Sequence, residues 1–222
     1  MSDEAAVRGE MAALCCSLFD RGYAHGSAGN VSARVGDHVL VSPTNSCLGR
    51  LDPARISKVS LAGQHVGGDR PSKEAPLHLG IYSARPDAGA VVHLHSTYAT
   101  VLSCLAETDA ADAMAPITPY LMMRVGRVPM VPYHPPGSGA LAHAVRAKAR
   151  QHRAVLMANH GFVVAGKTFE DAVFNAEELE ENAKLLVLAG GQRLRLLGAA
   201  DLAALAARFG SSRSSGRDAG LP

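Results

Sequence analysis

Ala90-Val91-Val92-His93-Leu94-His95 is an apolar run that ends in two histidines two residues apart. Its length and its β-branched content predict a buried strand over residues 88–95. Side chains alternate across a strand, so both imidazoles point one way and Leu94 enters the opposite layer. A second apolar run, Ala154-Val155-Leu156-Met157-Ala158, is closed shortly afterwards by His160. Three neutral imidazoles suit zinc and related divalent ions and leave a coordination position open for water or substrate, as a catalytic metal requires. A His-x-His pair also arises by chance in ordinary cores, so this reading requires the fold to bring His160 to His93 and His95.

Upstream of the pair stands Pro71-Ser72-Lys73-Glu74, which opens a helix expected over residues 74–82 and offers an anion cradle and a carboxylate together. Downstream, Ser96 is expected to cap a helix that runs to Leu105. Toward the N-terminus, residues 4–23 have helical periodicity, with Val7, Met11, Leu14, Leu18 and Phe19 as the apolar stripe and Gly22 as the stop. The glycine-rich turn His25-Gly26-Ser27-Ala28-Gly29-Asn30 leads into an alternating segment, 31–35, and Gly36-Asp37 turns it into Val39-Leu40-Val41 as a hairpin. A small polar loop, Ser42-Pro43-Thr44-Asn45-Ser46, follows, and residues 56–65 supply two more short strands around Ala62-Gly63. Beyond the histidine pair we expect a helix at 119–127, a short strand at 128–131, a helix at 138–152, a strand pair at 154–158 and 162–165, and a long helix at 168–189. Arg146, Lys148 and Arg150 fall on the solvated face of the third of these. The alternation of strands and helices, taken alone, favours a parallel sheet.

The chain has 222 residues, enough for one sizeable core, and no linker divides it; a single domain over residues 1–210 is expected, with a Ser/Gly/Arg-rich tail at 211–222 that should be disordered. A formal net charge of +2 spread evenly, with no Trp, provides no basic stripe for nucleic acid. The acidic start Met1-Ser2-Asp3-Glu4 and the lack of a bilayer-length apolar run predict a soluble, cytoplasmic protein with no membrane partner. Cys15, Cys16, Cys47 and Cys104 show no Cys-x-x-Cys spacing and are read as reduced packing residues.

The order of Gly26-Ser27-Ala28-Gly29-Asn30-Val31-Ser32, Ser42-Pro43-Thr44, Pro71-Ser72-Lys73-Glu74, His93-Leu94-His95-Ser96 and Asn159-His160-Gly161 resembles the class II aldolase/adducin head family, over roughly residues 5–205. Within it, Lys73, Ser46-Cys47-Leu48-Gly49 and Thr118-Pro119-Tyr120 look closest to the 3-oxo-tetronate 4-phosphate decarboxylases. The resemblance implies a three-layer α/β/α fold around a mostly antiparallel sheet, and a homotetramer with its sites at subunit contacts. It implies a divalent metal, Zn2+ first and Mn2+ or Co2+ as alternatives, on His93, His95 and His160. It also implies a phosphorylated sugar-acid substrate whose decarboxylation to dihydroxyacetone phosphate and CO2 passes through a metal-stabilised enediolate.

By position, Glu74 matches the family's acid/base carboxylate and Tyr120 a proton donor that reaches a neighbouring subunit's site. Gly29, Asn30, Thr44, Asn45 and Ser72 would hold the phosphate, with Asn45 standing where glycine is usual. Lys73, a departure from the second serine of the aldolases, is expected to pair chiefly with the phosphate, because gripping the carboxylate would oppose its loss. His78, one turn beyond Glu74, is a secondary candidate ligand whose stronger reading is to orient Glu74 or to pack nearby. An aldolase or epimerase acting on a sugar phosphate shares the same enediolate chemistry and remains the alternative. A non-catalytic adducin-like module is the second alternative, opposed by the presence of His93, His95, His160 and Glu74.

Overall fold

The computed structural model describes residues 3–209, so the tail expected to be disordered at 211–222 lies outside the described residues. Helix α1, Glu4–Asp20, starts where the Asp3 carboxylate accepts the amide of Ala5 and buries Met11, Cys15 and Leu18 along one stripe. Gly22, at φ +80°, then takes the chain out of the helix. Strands β1 (Asn30–Val35) and β2 (His38–Val41) form the expected hairpin, and β3 (Ser57–Ser60) and β4 (His65–Gly67) form a second.

The chain continues as α2 (Ala75–Ala84), β5 (Ala90–Leu94), α3 (Thr97–Cys104), α4 (Pro119–Arg124), β6 (Met130–Val131) and α5 (Gly139–Ala149). It ends as β7 (Ala154–Met157), β8 (Gly161–Gly166), α6 (Phe169–Leu188) and α7 (Ala199–Phe209). The predicted elements are all present, with ends shifted by a few residues; α7 has no counterpart in the sequence reading.

The strands form one sheet in the order β4-β3-β2-β1-β5-β8-β7-β6, and each neighbouring pair is antiparallel except β6 with β7. The parallel sheet expected from alternation alone is therefore overturned, and the mostly antiparallel sheet implied by the resemblance is what the chain builds. The reason is local. Three strand pairs are closed by tight turns, which only antiparallel neighbours allow. The connection through α2 does not return to β4 but carries the chain across to β5, which pairs with β1.

Strand β5 is buried along its whole length, and its alternation separates two cores. Val92 and Leu94 join Val31, Ala33, Phe162 and Val164 beneath α1, α3 and α6. Val91 joins Val39, Val41, Val163 and Ala165 beneath α2 and α5, against Leu77, Ile81, Leu141 and Val145. The result is three layers, α/β/α, with His93 on the α2/α5 side, as the two-residue period required.

Ser96 occupies the N-cap position of α3 but makes no side-chain cap bond there. Its hydroxyl donates instead to Glu180 Oε2 at 2.6 Å, and the Glu180 carboxylate takes the amides of Tyr98 at 2.8 Å and Ala99 at 2.9 Å. The helix is thus capped from α6. None of the four cysteines is in a disulfide, and Cys15 is fully buried. Among the described residues no helix is long and apolar enough to cross a membrane.

Candidate metal centre

Three elements converge at the end of β5. His93 is its fourth residue and His95 follows it directly. His160 stands in the turn between β7 and β8, and β8 pairs with β5 so that Leu94 lies opposite Phe162. The turn is held by Ser103 of α3, whose carbonyl accepts the amide of Asn159 and whose hydroxyl accepts that of His160. Gly161 permits the close approach: at φ +147°, a Cβ there would lie 2.4 Å from the Leu94 carbonyl oxygen and 3.2 Å from His95 Cα. Gly29, just before β1, does the same: a Cβ there would sit 2.8 Å from the His93 carbonyl oxygen.

The three imidazoles form a compact set, with ring centroids 4.7, 5.0 and 4.7 Å apart. Glu74, at the start of α2, faces them. Its Oε2 is 3.3 Å from His93 Nε2 and its Oε1 is 3.5 Å from His160 Nε2. One ligand atom from each of Glu74, His93, His95 and His160 falls within 4.8 Å of the others. Glu74, His93 and His160 are buried, and His95 is half-buried. His160 is therefore within coordinating reach of the pair.

The electrostatics of this cluster suit a cation. His93 Nδ1 lies 2.7 Å from the Phe162 carbonyl oxygen, so that nitrogen carries the proton and the Nε2 lone pair faces the cluster. His95 Nε2 stands only 2.9 Å from it. Burial, then the neighbouring imidazoles, pushes His95 down to about 3; burial, then His93, pushes His160 down to about 4. Rings held neutral in this way present lone pairs, as metal ligands must. Burial alone would raise the Glu74 carboxyl, but His93, whenever its ring is protonated, and the Asn30 amide outweigh it and hold it well below the usual carboxylate range.

His160 Nδ1 and Nε2 and Glu74 Oε1 are buried and have no hydrogen-bond partner. Buried polar atoms of this kind are costly unless something else satisfies them, and a divalent cation matches the chemistry of this donor set.

Of the residues expected to hold phosphate, Asn30 and Ser72 bond to Glu74 and Gly29 packs against the His93 backbone. The loop that carries Thr44 and Asn45 is tied to the segment before α2 by a bridge between Pro43 and Pro71 and by the Ser72 amide donating to the Ser42 carbonyl. Asn45, at φ +56°, adopts the left-handed conformation that a glycine would take, one that Asn tolerates. Ser72 is buried with its hydroxyl accepting the Glu74 amide, whereas Lys73 is exposed and lies against Gly137.

Asn30 is buried and its carboxamide is already engaged, donating to Glu74 Oε2 at 2.8 Å and meeting His78 at 2.6 Å. His78 is no part of this cluster: its Nδ1 meets Ser32 and its Nε2 meets Asn30. Tyr120 is not brought to the cluster: it sits on α4 beside α6 and α7, on the other side of the sheet, and is 60% exposed.

Two supporting residues escaped the sequence reading. Glu180 is the one charged residue buried on α6, among Ala176, Leu179 and Ala183, and a charge at that place in the stripe was its visible signal. Ser103 has no signal beyond its place on α3.

Residues 9–187 match the Class II Aldolase and Adducin N-terminal domain. The 3-oxo-tetronate 4-phosphate decarboxylase of Pectobacterium atrosepticum is 52% identical over 206 residues, covering 92% of this chain and 94% of that protein. The L-fuculose phosphate aldolase of Methanocaldococcus jannaschii is 37% identical over 175 residues, covering 79% of this chain and 92% of that protein. The crystal structure of YgbL from Klebsiella pneumoniae superposes with a TM-score of 0.90 at 45% identity, covering 92% of this chain and 100% of that one. With its sheet order, its clustered histidines and these matches in hand, the chain belongs to the class II aldolase and adducin N-terminal domain family.

Proposed function

We propose that this protein decarboxylates a 3-oxo-tetronate 4-phosphate to dihydroxyacetone phosphate and CO2. The observation that carries the choice of leaving group is the 52% identity to the Pectobacterium decarboxylase along nearly the whole of both chains, against 37% to the fuculose phosphate aldolase. His93, His95 and His160 would hold the metal, with Zn2+ the first choice and Mn2+ or Co2+ compatible with the same donors. When bound, such an ion supplies positive charge beside the substrate oxygens that become anionic.

The remaining work falls to the chain. The C1–C2 bond breaks, its electron pair moves toward the C3 carbonyl, CO2 leaves, and C2 gains one proton. Glu74, anchored by Asn30 at the edge of the cluster and ionised at rest, takes that proton from solvent or from Tyr120 of a neighbouring copy and passes it to C2. Gly29, Asn30, Thr44, Asn45 and Ser72 line the phosphate side through amides and hydroxyls, and exposed Lys73 adds a cation for the phosphate. Fixing the phosphate end leaves the carboxylate free to depart.

Tyr120 is a proton donor in the site of a neighbouring copy, which its exposure on the far layer favours, and the assembly is a homotetramer with shared sites. The protein works in the cytoplasm.

The test incubates the enzyme with the substrate and scores CO2, dihydroxyacetone phosphate and any aldehyde in parallel. Equimolar CO2 and dihydroxyacetone phosphate are expected, with Glu74→Gln slower by roughly 10²- to 10⁴-fold. Lys73→Ser should raise KM far more than it weakens metal binding. An aldehyde without CO2 would replace this reading with that of an aldolase.

A further inference from the structure

Glu74, His78 and Tyr82 are spaced four apart and share one face of α2 from its N-cap to its last turn, about 6 Å apart along its axis. Asn30 and Ser32 are two apart on one face of β1, about 6.6 Å from each other. The two spacings nearly match, so the rows mesh into a single buried chain of contacts. Tyr82 Oη lies 2.9 Å from Ser32 Oγ, and Ser32 Oγ lies 2.8 Å from His78 Nδ1. His78 Nε2 lies 2.6 Å from Asn30 Oδ1, and Asn30 Nδ2 donates to Glu74 Oε2 at 2.8 Å. All five side chains are buried, and His78 is 0% exposed.

The chain has only one self-consistent direction. A carboxylate only accepts, so Asn30 must present its N–H to Glu74 and turn its carbonyl oxygen to His78. That oxygen also only accepts, so His78 carries its proton on Nε2. Burial, then the nearby His93, pushes His78 down to about 3, so the ring is neutral and Nδ1 is bare. Ser32 must then donate to Nδ1 and accept from the Tyr82 hydroxyl. Every donor points toward Glu74.

We infer that His78 is a positioning residue for Glu74: as its Nε2–H tautomer it fixes the Asn30 carboxamide with the N–H edge, not the carbonyl edge, on the carboxylate. A flipped Asn30 would set an oxygen lone pair against Glu74 and turn the carboxylate away from His93 and His160. This rests on the reading of Glu74 as the group that moves the proton.

The test uses the metal-loaded full chain. His78→Phe, which fills the space without a ring N–H, should lower kcat by roughly 10- to 100-fold while KM changes by less than about two-fold and metal content is unchanged. His78→Gln, whose amide can still donate to Asn30, should recover most of that loss. Independently, ¹⁵N spectra of the wild-type imidazoles should show His78 protonated at Nε2 only, and if the Phe variant does not fold, this spectrum and the Gln variant carry the test. A wild-type kcat for His78→Phe beside an inactive Glu74→Gln overturns the role of His78 alone, as does an Nδ1–H tautomer. A fully active Glu74→Gln overturns the assignment of Glu74 itself, and with it the role inferred for His78.

Discussion

Replacing Glu180 should be among the most destabilising single changes in the chain, although the residue lies outside the metal cluster. The first turn of α3 has amides that no intrahelical carbonyl can reach, and Ser96, which could cap them, donates its hydroxyl away. One buried carboxylate accepts all three donors at 2.6, 2.8 and 2.9 Å. Each hydrogen bond to a charged group contributes about 1.5–3 kcal/mol net, but the three share one desolvation cost and do not add. Glu180→Ala should therefore cost about 3–5 kcal/mol, the usual result of removing one partner of a buried charged network.

Glu180→Gln isolates the electrostatic part. It keeps the shape and one acceptor, but sets an NH2 against the Ala99 amide, at a cost of about 2–3 kcal/mol for the unmatched donors. Urea unfolding followed by far-UV circular dichroism should show the midpoint of the Gln variant lowered by about 1 M with the slope unchanged. Thermal melts should fall by about 5–10 °C. In a double-mutant cycle, Ser96→Ala should cost less in the Glu180→Gln background than in the wild type. A Gln variant within about 0.5 kcal/mol of the wild type would refute the capping role.

Gly161→Ala should destabilise by at least about 2 kcal/mol, since it combines positive-φ strain with a contact to the Leu94 carbonyl; because that contact bears on the end of β5, dication affinity should fall as well, and chelator competition measures it. A normal melt and normal affinity would show that the turn has room to spare. Glu4 accepts from Lys58 at 2.8 Å and pairs with Arg8 at 2.9 Å; the Lys58 bond, with help from Arg8, lowers its carboxyl despite partial burial. A lowered carboxyl contributes stability above its unfolded pKa, about 4.3, that is lost as the pH falls through the folded value. The difference in urea midpoint between wild type and Glu4→Gln should thus be full at pH 7 and shrink toward pH 3, and a difference independent of pH would remove charge as its cause.

Much of this architecture is legible because its signals are local. The two-residue period of β5 separates Leu94 from His93 and His95, and Gly22, Gly36 and Gly63 mark turns that need positive φ. Strand direction is not local. Alternating strands and helices suit either sheet, and only the return of the chain from β4 to β5 beside β1 decides it.

The pairing of Ser96 with Glu180 joins residues far apart in sequence, so a good N-cap residue is read as capping itself. Helix α7, after Gly190-Gly191 and a stretch without regular structure, escaped the sequence reading although Leu202, Leu205 and Phe209 recur at helical spacing; it buries none of its residues fully. For the site, the ligands could be named because histidine at the end of an apolar run is unusual. The engagement of Asn30 with Glu74 and His78 could not, because it depends on the rise of a helix matching that of a strand across a layer.

The most direct test of the metal centre is isothermal titration of the chelator-treated protein with Zn2+ or Mn2+, alongside His160→Ala. The account predicts one ion per chain for the wild type and a loss of affinity of at least about 100-fold for the variant, because removing one of three imidazoles dismantles the donor set. A wild type that binds no ion, or a His160→Ala protein that binds it equally well, would contradict the account.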